Sequence, residues 1–461
     1  MKKILSFIIT IFLILFMIYG ISKCVRRFKN KNLDIIKNWT QELYYNDGQD
    51  IVIDEYNNLY ITGINIGEGN FKEAYLCKYD QHGKKVWCDI LNSIGYNIQG
   101  LKLFIVDNDS IYLSGTTNIS INNQKLNGKQ DLFIIRYNLS GDIIWTKTVG
   151  FPKAVIKVSG IVIDEKQNIY ISGESDRDEK GNVFTNKNAF LLKMSHDFII
   201  KWVHFIGVKE KINNNIHPLV STSSDIFYID NYIYLTGFTN TSLSGKKLNI
   251  KNYHPIYIYD NNKYLYSYFL KFSTQGQIIS KKLIDNPGII KFDNYGNYYI
   301  INQLKTQKNI YDNNSFEISS QIIKFQKNGK KEWEKNLGNE ENDIIIYDII
   351  EDNKLNLFIT GVSNNKKNNG PLKAFVQKYS KNGNSEINYL YENVPNKQSS
   401  IISISKRILV KDNICYVLGL ILTPIDKIQN EFIKPINTKD INHWIGFKIN
   451  TFISTEFNKN K

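Results

Sequence analysis

The chain is poor in the residues from which metal centres are built. Its 461 residues include only 4 cysteines and 6 histidines, and no CxxC, HxH or HExxH motif occurs. Without such spacing the sequence gives no sign of zinc, and we predict neither a metal nor a cofactor. The histidines are isolated from one another: His82, His196, His204, His217, His254 and His443.

Local signatures of catalysis are missing as well. The chain has no GxSxG elbow, no P-loop and no DxDxDG calcium loop. Acidic turns such as DNDS (residues 107–110) fit hydrogen bonding of the turn's own backbone better than calcium binding. We therefore predict no catalytic residue, although residues scattered one per repeat could assemble a site that shows no local motif.

The cysteines form no framework. Cys77 and Cys88 lie on the two arms of one predicted hairpin, where a cross-strand disulfide is one alternative. The sequence favours the other, two separate half-buried thiols. We expect Cys415 to serve as a small apolar filler.

The positive charge is too dispersed to indicate nucleic-acid binding. The net charge is +14, but residues 1–37 supply +7 of it, which leaves +7 over the other 424 residues. A charge so dilute is typical of a solvated surface rather than of a phosphate-binding stripe. We predict no nucleic-acid partner.

The N-terminus carries the strongest local signal. Residues 4–22 are uncharged and mostly apolar, with Lys2 and Lys3 before them. Such a segment is long enough to cross a bilayer as a helix, and it lacks a small-x-small cleavage site. We predict an uncleaved membrane anchor within residues 1–30. The alternative, lipidation at Cys24, is disfavoured by the adjacent Lys23. The basic residues after the segment favour a cytoplasmic domain by the positive-inside rule, so the orientation stays open.

One six-residue pattern recurs seven times. It reads NLYITG at residues 58–63 and SIYLSG at 110–115, and its aromatic residues lie 52 to 65 residues apart. They are Tyr60, Tyr112, Tyr170, Tyr234, Tyr299, Phe358 and Tyr416. The structural glycines that end the pattern are Gly63, Gly115, Gly173, Gly237 and Gly361, with Asn302 in the fifth copy. A period of this length indicates one supersecondary unit per repeat.

Each unit continues through a hairpin with fixed spacing. A third strand ends in a basic residue: Lys78, Arg136, Lys193, Lys271, Lys324, Lys378 or Lys448. Five residues later comes a turn glycine in most units, and we place Asp197 at this turn in the third. Nine residues after the basic residue come Trp87, Trp145, Trp202 and Trp333. We predict that these tryptophans pack between neighbouring sheets.

Four strands per unit predict an all-β fold. Short period-2 strands joined by glycine-bearing turns are antiparallel hairpins, and no unit can bury both of its faces alone. Stacking the sheets around an axis solves this, so we predict a seven-bladed β-propeller of four-stranded blades over residues 31–461. The anchor would form one helix before it. Residues 35–43, which include Trp39, resemble a fourth strand and are expected to close the last blade, with residues 452–457 as the competitor.

These residues resemble a known repeat family. The pattern D-x-x-x-N-x-Y-x-T-G followed by K-Y-x-x-x-G-x-x-x-W is similar to SBBP-type β-propeller repeats, most closely at residues 51–87 and 160–202. The resemblance covers roughly residues 36–457. It implies a propeller on the extracytoplasmic side of the membrane and no established catalytic residues.

Variable loops are where a ligand is expected. The loops between the second and third strands are longest at residues 238–263 and 420–442. The first of these concentrates the candidate ligand-binding residues Tyr253, His254, Tyr257 and Tyr259. We expect a membrane-anchored, non-catalytic binding or scaffold module for a protein or glycan. The alternatives are a hydrolase or lyase with a funnel site drawn from several blades, and a structural subunit of an envelope assembly.

Overall fold

The computed structural model divides the chain into two compact units, Met1–Trp39 and Thr40–Lys461. The first unit, with the predicted anchor and Trp39, lies outside the described residues. The structure describes residues 40–43, 47–67, 71–91, 95–107, 109–207, 220–240, 243, 266–285, 288–307, 316–338, 342–365, 372–390, 402–411, 414–424, 447–454 and 458–459. Throughout these ranges the regular structure is strand, and no helix there could span a bilayer.

The second unit is an all-β propeller of antiparallel sheets, as the repeats predict. The first three sheets each contain four consecutive strands. They are β2 (Asp47–Ile53), β3 (Leu59–Ile66), β4 (Lys72–Tyr79) and β5 (Lys85–Leu91); β6 (Ile98–Val106), β7 (Ser110–Thr117), β8 (Asp131–Asn138) and β9 (Ile143–Val149); β10 (Ile156–Ile163), β11 (Ile169–Arg177), β12 (Val183–Met194) and β13 (Ile200–Ile206).

The fourth and fifth sheets repeat this arrangement. Their strands are β14 (Ser221–Ile229), β15 (Tyr232–Thr239), β16 (Tyr266–Ser273) and β17 (Ile278–Asp285); β18 (Gly288–Phe292), β19 (Tyr298–Gln307), β20 (Phe316–Phe325) and β21 (Lys331–Leu337). We call the successive strands of a sheet A, B, C and D.

The sixth unit departs from the uniform four-stranded pattern that we predicted, whereas the last unit has four strands. The sixth unit contributes β22 (Asn342–Glu351), β23 (Leu357–Asn365), β24 (Lys373–Tyr379) and β25 (Ser385–Leu390), and β29 (Asn458–Lys459) adds a fifth strand beside β25. The last sheet contains β26 (Ile402–Lys411), β27 (Ile414–Pro424), β28 (Phe447–Ser454) and β1 (Thr40–Leu43). Six sheets are therefore four-stranded and one has five strands.

The two ends of the second unit meet in the last sheet. Strand β1 pairs with β28 from Thr40↔Ser454 to Leu43↔Thr451, so an N-terminal strand takes the D position. The competing segment at residues 452–457 does not take it, because Phe452 belongs to β28, the C strand. The register also corrects our placement of Lys448. It lies opposite Thr423, seven residues beyond Tyr416 on β27, whereas Lys78 lies directly opposite Tyr60.

Each sheet but the fifth has a β-bulge in strand A, and the glycine that recurs on strand B faces it. A Cβ on Gly63 would lie 2.0 Å from the carbonyl oxygen of Asp47, and the same clash occurs at four other positions. They are Gly115, Gly173, Gly237 and Gly361. In the fifth sheet Asn302 replaces the glycine, and the register of β18 with β19 has no shift. The pattern residue that looked like a strand end is thus a packing requirement of the bulge.

The tryptophans on strand D contact the C–D turn of the following sheet. Trp87 Nε1 donates to the carbonyl oxygen of Leu139 at 3.1 Å, and its ring lies where a Cβ on Gly141 would be. Trp333 makes the same contacts with the turn of the sixth unit. In the third unit the residue with positive φ is Phe198 (64°), not Asp197, and its ring lies 4.4 Å from that of Trp145.

The remaining repeat residues stabilise single sheets. Asp54 Oδ1 accepts hydrogen bonds from the main-chain N–H groups of Tyr56 and Asn58, and Oδ2 accepts from the Tyr60 hydroxyl. The motif D-x-x-x-N-x-Y is therefore an Asx turn tied to strand B. On the neighbouring strand Lys78 Nζ lies 5.2 Å from the centre of the Tyr60 ring, a cation–π contact that recurs in five other sheets.

Candidate functional site

The first strands of all seven sheets line one cavity of about 210 Å³ at the centre of the ring. Six charged residues project into it, and we call them the axial cluster. They are Asp50, Lys102, Asp225, Lys291, Asp348 and Arg407. The third sheet contributes Gly160 at the equivalent position, so that one side of the ring carries no charged side chain.

The bulges place these residues. In five sheets the charged residue directly follows the extra residue of the bulge, and Gly160 does so in the third. An extra residue re-aims the next side chain, which here turns towards the axis. The fifth sheet lacks a bulge. Its Lys291 lies two residues before the turn residue Asp293, whereas Asp50 lies four residues before Asp54.

Lys291 joins three blades. Its Nζ lies 2.7 Å from Asp225 Oδ2 in the fourth sheet and 3.3 Å from Asp348 Oδ1 in the sixth. All three side chains are less than one-fifth exposed, at 17%, 18% and 9%. Buried charges persist in proteins when they are paired, and one ammonium group here serves two carboxylates.

Arg407 and Asp50 make the corresponding contact where the ring closes. Arg407 Nε lies 3.5 Å from Asp50 Oδ1, and the other oxygen of Asp50 accepts a hydrogen bond from the Leu103 N–H at 2.9 Å. The Asp348 carboxylate likewise accepts from the Ile408 N–H at 3.2 Å. Each of these aspartates therefore binds the main chain of the next sheet as well as a cation.

Two further contacts bring the last sheet against the first. Lys406 forms an ion pair with Asp47, and Lys411 donates to the carbonyl oxygen of Asp54. Together with Arg407 and Asp50 they make three charged contacts between strands A of sheets that are far apart in sequence. The ring is thus closed by side chains at its inner edge as well as by β1 at its outer edge.

In the axial cluster, the pKa shifts of Asp225, Lys291 and Arg407 stabilise the charged forms, whereas that of Lys102 does not. Burial alone would raise the pKa of Asp225, but Lys291 and Lys102 outweigh it and hold that pKa well below its usual value. Burial would lower the pKa of Lys291, yet Asp225 and Asp348 raise it, and the pKa of Arg407 rises for the same reason. These groups stay ionised at neutral pH, which is unsuited to general acid–base work.

The described histidines take no part in the cluster. His204 lies on β13, where its ring contacts Trp202 and Phe272 at 5.3 and 5.5 Å. His82 and His196 lie in C–D turns, and His196 pairs with Asp197 at 2.9 Å. Within the described part of the chain no group of His, Cys, Asp and Glu has the arrangement of a metal site.

The cysteines differ from the expectation. Cys77 and Cys88 lie directly opposite each other on β4 and β5 and form a cross-strand disulfide, the alternative that the sequence disfavoured. Cys415 remains a free thiol that packs against Ile408 and Val417, and burial raises the pKa of its thiol to about 12. The proposed apolar role of Cys415 agrees with this packing.

The predicted ligand-binding residues include no member of the axial cluster. Tyr253, His254, Tyr257 and Tyr259 lie outside the described residues. The axial cluster was missed because its members differ in residue type and recur once per blade. One signal could have revealed it: five of the cluster residues stand two positions before the strand-A residue that pairs with the repeat's aromatic.

Comparisons with known proteins identify the repeat. Residues 144–179 match the SBBP β-propeller repeat, so the predicted resemblance is confirmed for this part of the chain. No curated protein matches the chain.

Several solved structures are similar at low identity. BamB from Moraxella catarrhalis has 11% identity and a TM-score of 0.39 over 88% of this chain and 84% of that one. A PL25 ulvan lyase bound to a sugar has 9% identity and a TM-score of 0.48 over 83% and 93%. Drosophila Plexin A in complex with Semaphorin 1b has 6% identity and a TM-score of 0.43 over 92% and 87%. Similarity at this level identifies neither an activity nor a partner.

Proposed function

We propose that this protein is a non-catalytic binding scaffold: a seven-bladed propeller, anchored through residues 4–22 and held outside the cytoplasm, that recognises a protein or glycan through its B–C and D–A loops. The observation that carries the proposal is the pairing of charges in the axial cluster. In a propeller with a catalytic funnel, axial carboxylates are needed as acids, bases or nucleophiles. Here all three aspartates are bound to cations.

The pairing gives the cluster a structural role. Lys291 links the fourth, fifth and sixth sheets, and Arg407 with Asp50 links the last and first. Removal of one partner would leave a buried charge uncompensated. A rigid ring of this kind suits a scaffold whose loops carry the specificity.

The disulfide supports a location of the propeller outside the cytoplasm. Cys77 and Cys88 form a cross-strand bond within the first sheet. Disulfides persist in oxidising compartments and are rare in the cytoplasm. This favours the extracytoplasmic orientation over the one that the basic residues after the anchor suggest.

Strand order separates the loops into two faces. Because A, B, C and D alternate in direction, B–C and D–A loops share one face, and A–B and C–D turns share the other. Strand β15 ends and β16 begins at the first face, so we propose that the candidate residues between them in sequence act there. Tyr56 and Tyr295, which are 65% and 61% exposed, lie in A–B turns on the second face.

A crosslinking experiment tests the proposal. The photoreactive residue benzoylphenylalanine replaces Tyr253, Tyr257 or Tyr259 in the full-length protein, and intact cells are irradiated. Replacement of Tyr56 or Tyr295 provides the control, because these are exposed tyrosines on the opposite face. We expect covalent adducts from the loop positions and none from the turn positions. Adducts of equal yield from both faces, or from neither, would remove the assignment of the loop face.

A further inference from the structure

Lys102 is the member of the axial cluster that the pairing leaves out. Among the described residues no carboxylate lies within ion-pair distance of its ammonium group, whereas Lys291 has two such partners and Arg407 has one. Burial and the neighbouring Arg407 lower the pKa of Lys102, and the more distant carboxylates of Asp225 and Asp50 offset this only in part. Its neighbour in the third sheet is Gly160, which offers no side chain.

Among the residues that the structure describes, one main-chain N–H group at the same place also has no side-chain acceptor. In the second sheet, Leu103 N–H donates to Asp50 of the first, and in the last sheet Ile408 N–H donates to Asp348 of the sixth. Ile161 is the equivalent residue of the third sheet. The residue that should accept its hydrogen bond is Lys102, which has only donors.

The ladder shows that the Ile161 N–H is not used within its own sheet. Antiparallel strands alternate between hydrogen-bonded and non-hydrogen-bonded residue pairs. The bond from Asp164 N–H to the Asn168 carbonyl makes those two residues a hydrogen-bonded pair and so sets the alternation between β10 and β11. Counting back from it, Ile161 and Ile171 form a non-hydrogen-bonded pair. The N–H of Ile161 therefore points away from β11, as that of Leu103 does from β7.

Gly160 keeps this position open towards the axis. A Cβ on Gly160 would lie 2.6 Å from Ile226 Cγ2 of the fourth sheet, so the packing between blades excludes a side chain there. The cavity beside it has a volume of about 210 Å³. This is well above the ~10–15 Å³ that a single water needs, so the cavity has room for a small organic acid.

We propose that the axial cavity binds a small carboxylate between the Lys102 ammonium and the Ile161 N–H, in the place that Asp50 and Asp348 occupy at two other junctions. The ligand supplies the carboxylate that the sequence omits at the junction of the second and third blades. The internal carboxylates show the required chemistry: one oxygen faces a cation, and the other accepts a main-chain N–H. This subsite is separate from the loop face.

Hydrogen exchange of the full-length protein with acetate as the probe tests the site. We expect acetate, at constant ionic strength with chloride, to slow exchange of the Ile161 amide. The Leu103 amide is the internal control, because it is already bonded to Asp50. Chloride alone should give no protection. No change at Ile161, or equal changes at Ile161 and Leu103, would overturn the proposal.

Two lysine variants complete the test. Lys102→Met removes the ammonium and keeps the stem, and we expect acetate affinity to fall about tenfold to a hundredfold, as for the loss of a charge-assisted hydrogen bond. Lys157→Met removes an exposed lysine from the same strand, β10, that carries Ile161, and should leave the affinity unchanged. Equal affinity in the two variants would contradict the role of Lys102.

Glucuronate replaces acetate in a second series of exchange measurements on the Ile161 amide. Protection of this amide by acetate alone assigns the site to free small acids, and protection by both assigns it to sugar acids as well.

Discussion

The carbonyl oxygen of Gln99 lies 1.8 Å from the point where a Cβ on Gly115 would stand. The side chain of Phe133, at 2.7 Å, closes the same space from strand C. Neither group can withdraw, because one is main chain and the other is fully buried. This single relationship explains why the six-residue pattern ends in glycine wherever strand A is bulged.

Gly115→Ala should therefore destabilise the protein by about 3 kcal/mol, the upper end of ordinary overpacking penalties. The adjacent substitution Ser114→Ala is the control. Ser114 is fully buried on the same strand, and its hydroxyl has no partner among the described residues, so its removal should cost close to nothing. Urea unfolding of both variants measures the difference. Similar losses in both would show that the bulge does not require glycine.

Two tryptophans allow the indole hydrogen bond to be measured by itself. Trp87 Nε1 donates to Leu139, whereas Trp202 Nε1 is buried without a partner in the described part of the chain. Both rings pack against the next sheet, so phenylalanine removes similar ring area at each site. We expect Trp87→Phe to cost about 1 kcal/mol more than Trp202→Phe in free energy of unfolding, measured with urea. Equal losses in the two variants would show that the indole hydrogen bond does not contribute.

A third tryptophan tests the packing between sheets. Trp145→Ala, which removes the contact with Phe198, should cost about 3–5 kcal/mol. An unchanged melting temperature would contradict packing between sheets.

Acid should weaken the axial cluster. The folded pKa of Asp225 is lowered, so its contribution is fully present above the unfolded value of about 3.9 and is lost as the pH falls through the lower folded pKa. We expect a contribution on the order of 2–3 kcal/mol at neutral pH. Asp225→Asn should be less stable than wild type at pH 7 and should lose less stability between pH 5 and 2.

Asp109→Asn is the matched control for this titration. Asp109 faces Arg136 at 3.5 Å, but its side chain is 76% exposed, and exposed ion pairs contribute little. Its pH dependence should follow wild type. If Asp225→Asn loses as much stability as wild type between pH 5 and 2, the axial ion pair does not contribute to the pH dependence of stability.

Differential alkylation checks the disulfide and the compartment together. Protein taken from cells under denaturing conditions should react at Cys415 directly, and at Cys77 and Cys88 only after reduction. Peptide masses distinguish the three sites. Protease added to intact cells or spheroplasts should then digest the propeller without lysis. Alkylation of Cys77 before reduction, or protection until lysis, would place the domain in the cytoplasm.

The sequence was sufficient where one side chain repeats for one local reason. Asp54 and Tyr60 recur with their spacing because both belong to a single turn and strand. At the third turn we placed Asp197, but the left-handed conformation falls on Phe198, the residue that the spacing of five after Lys193 reaches.

The candidate site could not be predicted because its members lie in different blades. Asp50 and Lys102 lie one period apart and differ in charge, so no local pattern connects them. What they share is a place on the axis that the bulge creates, and the bulge itself is visible in the sequence only through Gly63 on the neighbouring strand. Lys448 was misplaced because the long insertion before it hides the register of β28.

The closing sheet also sets the order in which the molecule can be completed. Thr40 pairs with Ser454, so the ribosome must add about 400 residues after the first strand before that strand has its partner. At ~5–20 residues per second, β1 waits on the order of 20–80 s as an open edge. The first five sheets and the four consecutive strands of the sixth can form during synthesis from neighbouring strands, whereas the final sheet depends on joining strands from the two ends of the unit. Closure of the ring is thus the slow, late step of folding. Until it occurs, the unpaired edge of β1 can pair wrongly with another strand.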